Sequence, residues 1–130
     1  MLRRLVPLLL VLNFAACTVW SLKKKFHGVW IVEEFIVNGE NRLWEEFEVN
    51  AFCFYEENIC ELPIRDLSLD DKAKWEITKT NQGYVLEITE ASDSIFNRQY
   101  GISLDTRKQG DAIVKVLKLS SEGLVIKCSQ

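Results

Sequence analysis

The chain is poor in the residues most chemistry relies on. Its 130 residues include one histidine, one methionine, two prolines and six glycines. A single imidazole, His27, leaves no partner for a two-histidine metal site and only one base for a serine triad, and no serine sits in a Gly-x-Ser-x-Gly elbow. A glycine-rich phosphate loop and a calcium-loop spacing are both missing. Acidic residues outnumber basic ones, 19 to 16, and the net charge is −3. Loss of Arg3 and Arg4 with the N-terminus would make it more negative. A mildly acidic chain lacks the basic face that nucleic acid requires. No apolar run reaches the ~20 residues needed to span a bilayer as a helix. These features predict a protein without catalytic residues, metal or cofactor.

Hydrophobic residues make up 48% and charged residues 27%, which suits one globular domain of ordinary size. The N-terminus is a separate element. Met1 to Arg4 is positive, Leu5 to Phe14 is an apolar run broken only by Pro7 and Asn13, and two small residues, Ala15 and Ala16, precede Cys17. That order is a secretory signal. The stretch Leu12-Asn13-Phe14-Ala15-Ala16-Cys17 resembles the lipobox of bacterial lipoproteins. The resemblance implies cleavage before Cys17 and a diacylglycerol on its thiol, with several acyl chains holding the protein to its membrane.

The expected organisation is a signal peptide at 1–16, a lipidated tether at 17–26 and a folded domain at 27–130. Extended, the ten residues 18–27 would reach at most ~33–36 Å. Lys23, Lys24 and Lys25 within the tether either approach anionic headgroups or form a solvated helical turn capping the domain. Thr18-Val19-Trp20-Ser21 carries none of the acidic residues that some surface lipoproteins have there. The expected location is therefore the periplasmic face of the outer membrane.

Beyond residue 27, alternation dominates and turn signals recur every 8–14 residues. Eight strands follow, near 27–37, 48–55, 59–65, 73–78, 84–88, 95–106, 113–119 and 124–128. Asn38-Gly39 closes the first, Asn81-Gln82-Gly83 joins the fourth and fifth, and Ser120-Ser121-Glu122-Gly123 precedes the last. Short links make antiparallel neighbours, and eight of them form a sandwich or a closed up-and-down barrel; closure removes exposed edges. The segment 41–47 is out of phase with Phe52 and Phe54, which calls for a bulge or a short helix, and 66–72 reads as a loop. Strand phase puts Trp75 and Ile77 on one face. Tyr84, Leu86 and Ile88 share the facing side, as do Phe96, Tyr100, Ile102 and Leu104, and then Leu124, Ile126 and Cys128. Residues 113–119 are apolar on both sides, so their orientation stays open.

Gly28-Val29-Trp30 resembles the Gly-x-Trp signature of lipocalins, and Asn38-Gly39 with Cys60-Glu61-Leu62-Pro63 is similar to a pattern in lipocalin-like lipoproteins of the Bacteroidetes. Phe96 with Tyr100, and Leu119 with Ser121, fit the same pattern across about residues 26–128. The resemblance implies an all-β, eight-stranded antiparallel barrel in which Gly28 and Trp30 close one end. In that family a basic residue of the last strand covers the tryptophan; Lys127 is the candidate here.

An eight-stranded barrel holds side chains or one small ligand. The expected function is a membrane-anchored carrier of a small hydrophobic or amphipathic molecule. Its lining would be Trp75, Tyr84, Phe96 and Tyr100, with Arg98 sharing their face. Arg98 either clamps a ligand's anionic end or pairs locally near a strand end. The alternative function is a non-catalytic envelope interaction or structural lipoprotein with a filled barrel, recognised through loops such as 41–47, where Trp44 either anchors an interface or tucks into the mouth. The adjacent carboxylates Glu33-Glu34, Glu45-Glu46, Glu56-Glu57 and Asp70-Asp71 read as solvated. Cys53, Cys60 and Cys128 either form one disulfide or serve as small hydrophobes.

Overall fold

A computed structural model describes residues 18–130. The signal peptide and Cys17 lie outside the described residues. Helix α1 occupies residues 18–26. It is followed by strands β1 (Gly28–Val37) and β2 (Glu40–Asn41), the one-turn helix α2 (Leu43–Glu46), β3 (Ala51–Phe54) and β4 (Ile59–Glu61). Then come β5 (Lys72–Thr80), β6 (Gly83–Thr89), a 3₁₀ turn (Ser94–Phe96), β7 (Gln99–Gln109), β8 (Ala112–Ser121) and β9 (Leu124–Ser129).

Every strand pairs antiparallel with its neighbour in the order β2-β1-β3-β4-β5-β6-β7-β8-β9. The sheet then closes on itself, because β1 also pairs with β9 from Ile31↔Ser129 to Val37↔Leu124. Eight strands make a closed up-and-down barrel, and the two-residue β2 folds back on β1 as an extra ninth. Closure gives both long edges a partner, as the spacing of turns predicts.

Local chemistry explains the corners. Asn38 and Gly39 both have positive φ (49° and 86°), the tight hairpin conformation that Asn-Gly adopts readily. The expected bulge or helix near 41–47 is α2, started where Asn41 Oδ1 accepts from the backbone N–H of Leu43. Three expected strands have other bounds, and the one expected at 48–55 covers only Ala51–Phe54. Residue 63 is a proline with no N–H to give a ladder, so β4 stops at Glu61 and only Ile64 pairs again, with Val49. Ser94–Phe96 coils into the 3₁₀ turn, so β7 begins at Gln99. Residues 18–26, expected as a tether with a capping helical turn at 23–25 as one reading, are helical throughout. This shortens their rise to ~1.5 Å per residue.

Every other residue faces inward, and the inward sets are the expected ones. β5 alternates perfectly from Ala73 to Ile77, and β9 does so from Leu124 to Cys128. In β8, Leu117 and Leu119 point in, while Val114 and Val116 are half-buried on the outside. One unforeseen break occurs in β1. The register slips between Val32 and Glu34, so the inward series runs Trp30, Val32, then Phe35.

Candidate functional site

The sequence places the candidate site inside the barrel, and the structure fills that space with aromatic rings. Phe26, Trp30, Phe35, Phe52, Phe54, Trp75, Phe96 and Tyr100 are all essentially without solvent exposure. They touch in a continuous column. Phe26 stacks on Trp75 (5.9 Å) and meets Phe54 edge-on (5.3 Å). Phe54 stacks on Phe52 (5.6 Å), Phe52 meets Phe96 (5.9 Å), and Phe96 meets Phe35 (6.0 Å). Burying each such ring contributes on the order of 2–3 kcal/mol. An aliphatic lining of the same strands would leave room; this aromatic one occupies it.

Both ends are stoppered. At one end α1 inserts Phe26, and Trp30 Nε1 donates to the Phe26 carbonyl (2.8 Å). Gly28 makes the corner between α1 and β1 at φ 108°, with Gln130 Nε2 at 2.8 Å from where a Cβ would stand. Gly28 and Trp30 thus sit at this end against α1, and Lys127 does not cover the indole. It lies on the outer face of β9, opposite Ile126 and Cys128, because strand alternation turns it away. The helix takes that place.

At the other end Phe47 packs edge-on against Phe35 (4.7 Å). Arg65 grips the buried Asp93 with two bonds, Nε to Oδ2 at 2.7 Å and a terminal nitrogen to Oδ1 at 2.5 Å. Asn97 secures the loop before β7 by exchanging hydrogen bonds with both backbone groups of Ala91.

The five candidate ligand residues do not converge. Trp75 lies against α1, and its Nε1 donates to the carbonyls of Tyr55 and Ile59. Tyr84 is half-buried at the same rim, with Lys79 Nζ 5.7 Å from its ring. Phe96 sits in the opposite cap. Tyr100 donates its hydroxyl proton to the Phe96 carbonyl (2.9 Å), and burial pushes its pKa up. Arg98 is in the same cap, where Nε donates to the Ile95 carbonyl (2.9 Å) and another nitrogen to the Glu122 carbonyl. Those bonds tie the β6–β7 loop to the β8–β9 turn.

Two clefts bounded by described residues are peripheral. One of about 360 Å³ lies between α1 and the β7–β8 hairpin, bordered by Lys25, Leu104, Asp105, Thr106 and Lys115. A second, of about 420 Å³, opens outside β6 and is bordered by Arg98 and Glu87. Trp75, Tyr84, Phe96 and Tyr100 border neither.

The surface carries what the sequence reading left undecided or missed. Trp44 is 88% exposed on α2, and Leu67 is 74% exposed on the loop after β4. Trp20 is 59% exposed on α1 and Ile113 69% on β8. Cys53, Cys60 and Cys128 are all free; Cys53 lies on the outer face and Cys60 on the inner, so adjacent strands cannot bridge them. Trp20 could have been noticed, since an indole in a polar leader has no core to enter.

Comparison with protein-family models, with curated proteins and with solved structures finds no match.

Proposed function

We propose that this protein is a lipocalin-like envelope lipoprotein with a filled barrel, held to its membrane through Cys17 and acting by contact rather than by catalysis or carriage. The aromatic column running from Phe26 to Phe35 supports this reading most directly: it occupies the volume a carried ligand would need. Trp44 is the leading contact. It projects from α2, next to the β1–β2 hairpin and at the end of the barrel opposite α1. An indole so placed gives a protein partner a large anchor at little ordering cost.

The test is photocrosslinking in cells. A photoreactive residue at position 44 should capture a discrete protein species that one at Lys118, on the barrel wall, does not. Identical patterns at both positions would remove Trp44 from the proposal. The carrier reading keeps one supporting feature, the cleft beside Leu104, whose volume lies in the range of small-molecule sites and whose two lysines suit an amphipathic anion. Native mass spectrometry of protein taken from membranes separates the two readings. A retained small molecule supports carriage, and a bare polypeptide mass supports the filled barrel.

A further inference from the structure

The α1 end of the barrel combines features that the filled core does not use. Helix α1 carries Lys23, Lys24 and Lys25 and no carboxylate. Trp20 is exposed on it, and Lys24 Nζ sits 3.6 Å from the indole centroid. Lys23 is committed to the fold: its Nζ donates to Asn58 Oδ1 and lies 5.4 Å from the Trp75 ring. Lys24 and Lys25 are not. Across the helix, Lys25 borders the same cleft as Lys115. Ile113 follows on that face of β8, beyond the rim where its neighbours Leu117 and Leu119 are buried, and is left exposed. Among the described residues no carboxylate is within ion-pair distance of Lys24, Lys25 or Lys115. Asp105 borders the cleft shared by Lys25 and Lys115 too, and Glu56 borders another, of about 370 Å³, shared with Trp20, Lys23, Lys24 and His27.

We propose that this end of the barrel rests on an anionic bilayer surface, with Trp20 and Ile113 at the level of the headgroups and Lys24, Lys25 and Lys115 among the phosphates. The proposal rests on the lipoprotein reading, because the acyl chains on Cys17 would bring α1 to the membrane directly. The chemistry matches at three points. Indoles settle at the membrane–water interface, where an apolar ring and a polar N–H are both satisfied. The Lys24 ammonium lies on the face of the Trp20 ring, a cation–π contact that keeps positive charge beside the indole on this surface. Each lysine near anionic lipid strengthens attraction by a factor of about five. Trp44 at the far end is more exposed than Trp20, but its neighbours Glu40, Arg42 and Glu48 are of mixed sign. Charge therefore singles out the α1 end. Docked this way, the barrel stands upright and presents Trp44 away from the membrane.

The experiment uses the full chain purified from membranes and reconstituted into vesicles of phosphatidylglycerol with brominated phosphatidylcholine. Bromine quenches only indoles at the bilayer, and Trp30 and Trp75 are buried in the protein. The expected result is quenching that is lost in Trp20→Phe, kept in Trp44→Phe, and sharply reduced when phosphatidylglycerol is omitted or in Lys24→Gln/Lys25→Gln. Both tryptophans are surface residues, so these variants keep the fold. Absence of quenching in the wild type, or quenching unchanged in Trp20→Phe, overturns the proposal. The intact mass of the same sample reports on Cys17. An acylated chain with an unquenched Trp20 sinks the docking surface and leaves the anchor standing. A chain without acyl groups whose Trp20 is still quenched supports the surface and removes the anchor.

Discussion

Glu33 and Arg107 form a bidentate ion pair, at 2.9 and 3.0 Å, although 74 residues separate them. In the wall their strands are separated by β8 and β9, so the pair straps the outside of the barrel across the seam where β9 meets β1. Glu33 stands at the irregularity in β1, between the paired Val32 and Glu34. The bulge that shifts the inward series to Phe35 thus also presents this carboxylate outward.

Arg107 holds the Glu33 carboxyl below its ordinary pKa of 4.5. A lowered folded-state value means stability that is present above the unfolded pKa and lost as pH falls through the folded one. Glu33→Gln is expected to lower Tm by a few degrees at neutral pH, with the difference fading as pH falls below the ordinary carboxylate range and in ~1 M salt, since the pair is partly exposed. Thermal melts across pH check this; a constant difference would assign the loss to packing.

Arg65 and Asp93 close the opposite cap, and Asp93 is buried. Arg65→Leu leaves a buried carboxylate without its partner and is expected to cost about 2–4 kcal/mol. Adding Asp93→Asn should recover part of that loss. Urea denaturation of the two single variants and the double measures the coupling directly.

The thiols should react in a fixed order. Cys53 is half-exposed, whereas burial pushes the Cys60 thiol up to about 12 and raises that of Cys128 as well. A thiol reagent at about pH 8 is expected to modify Cys53 in the native protein and the other two only on unfolding. The unfolded total also reports on position 17: the sequence has four cysteines, and a thioether there would leave three reactive.

Gly28→Ala should destabilise by about 1–3 kcal/mol, through its φ of 108° and the clash with Gln130. The glutamine end is flexible, so the backbone term should dominate. The same loss in a Gln130→Ala background would confirm that, by chemical denaturation; full relief there would put the cost on the side-chain clash.

Alternation carried the strands, because one buried face forces a period of two and the Asn-Gly and glycine turns punctuate it; edge closure and the lipocalin resemblance then favoured a barrel over a sandwich. Trp75, Ile77, Leu86 and Ile126 are inward for that reason. The break at Glu33 was illegible, since two consecutive glutamates give no hydrophobic phase to follow. Helix α1 was legible in part: the three lysines suggested a helical turn capping the domain, and Val19, Leu22 and Phe26 recur at helical spacing beneath them. The candidate site failed to assemble for a geometric reason. Residues sharing a face on successive strands share an interior, but not a height along the barrel, so Trp75 and Phe96 reach opposite caps. Arg98 lies where β7 has not yet begun, so strand phase could not describe its side chain.

Helix α1 is also the cork of the barrel. A protease that cuts within residues 18–26 does not merely free the domain from whatever precedes it. It withdraws the acceptor of the Trp30 indole and the ring stacked on Trp75, and lets water into the column. Cleavage there and unfolding are thus one event for this molecule, and a stable form clipped within α1 is not to be expected.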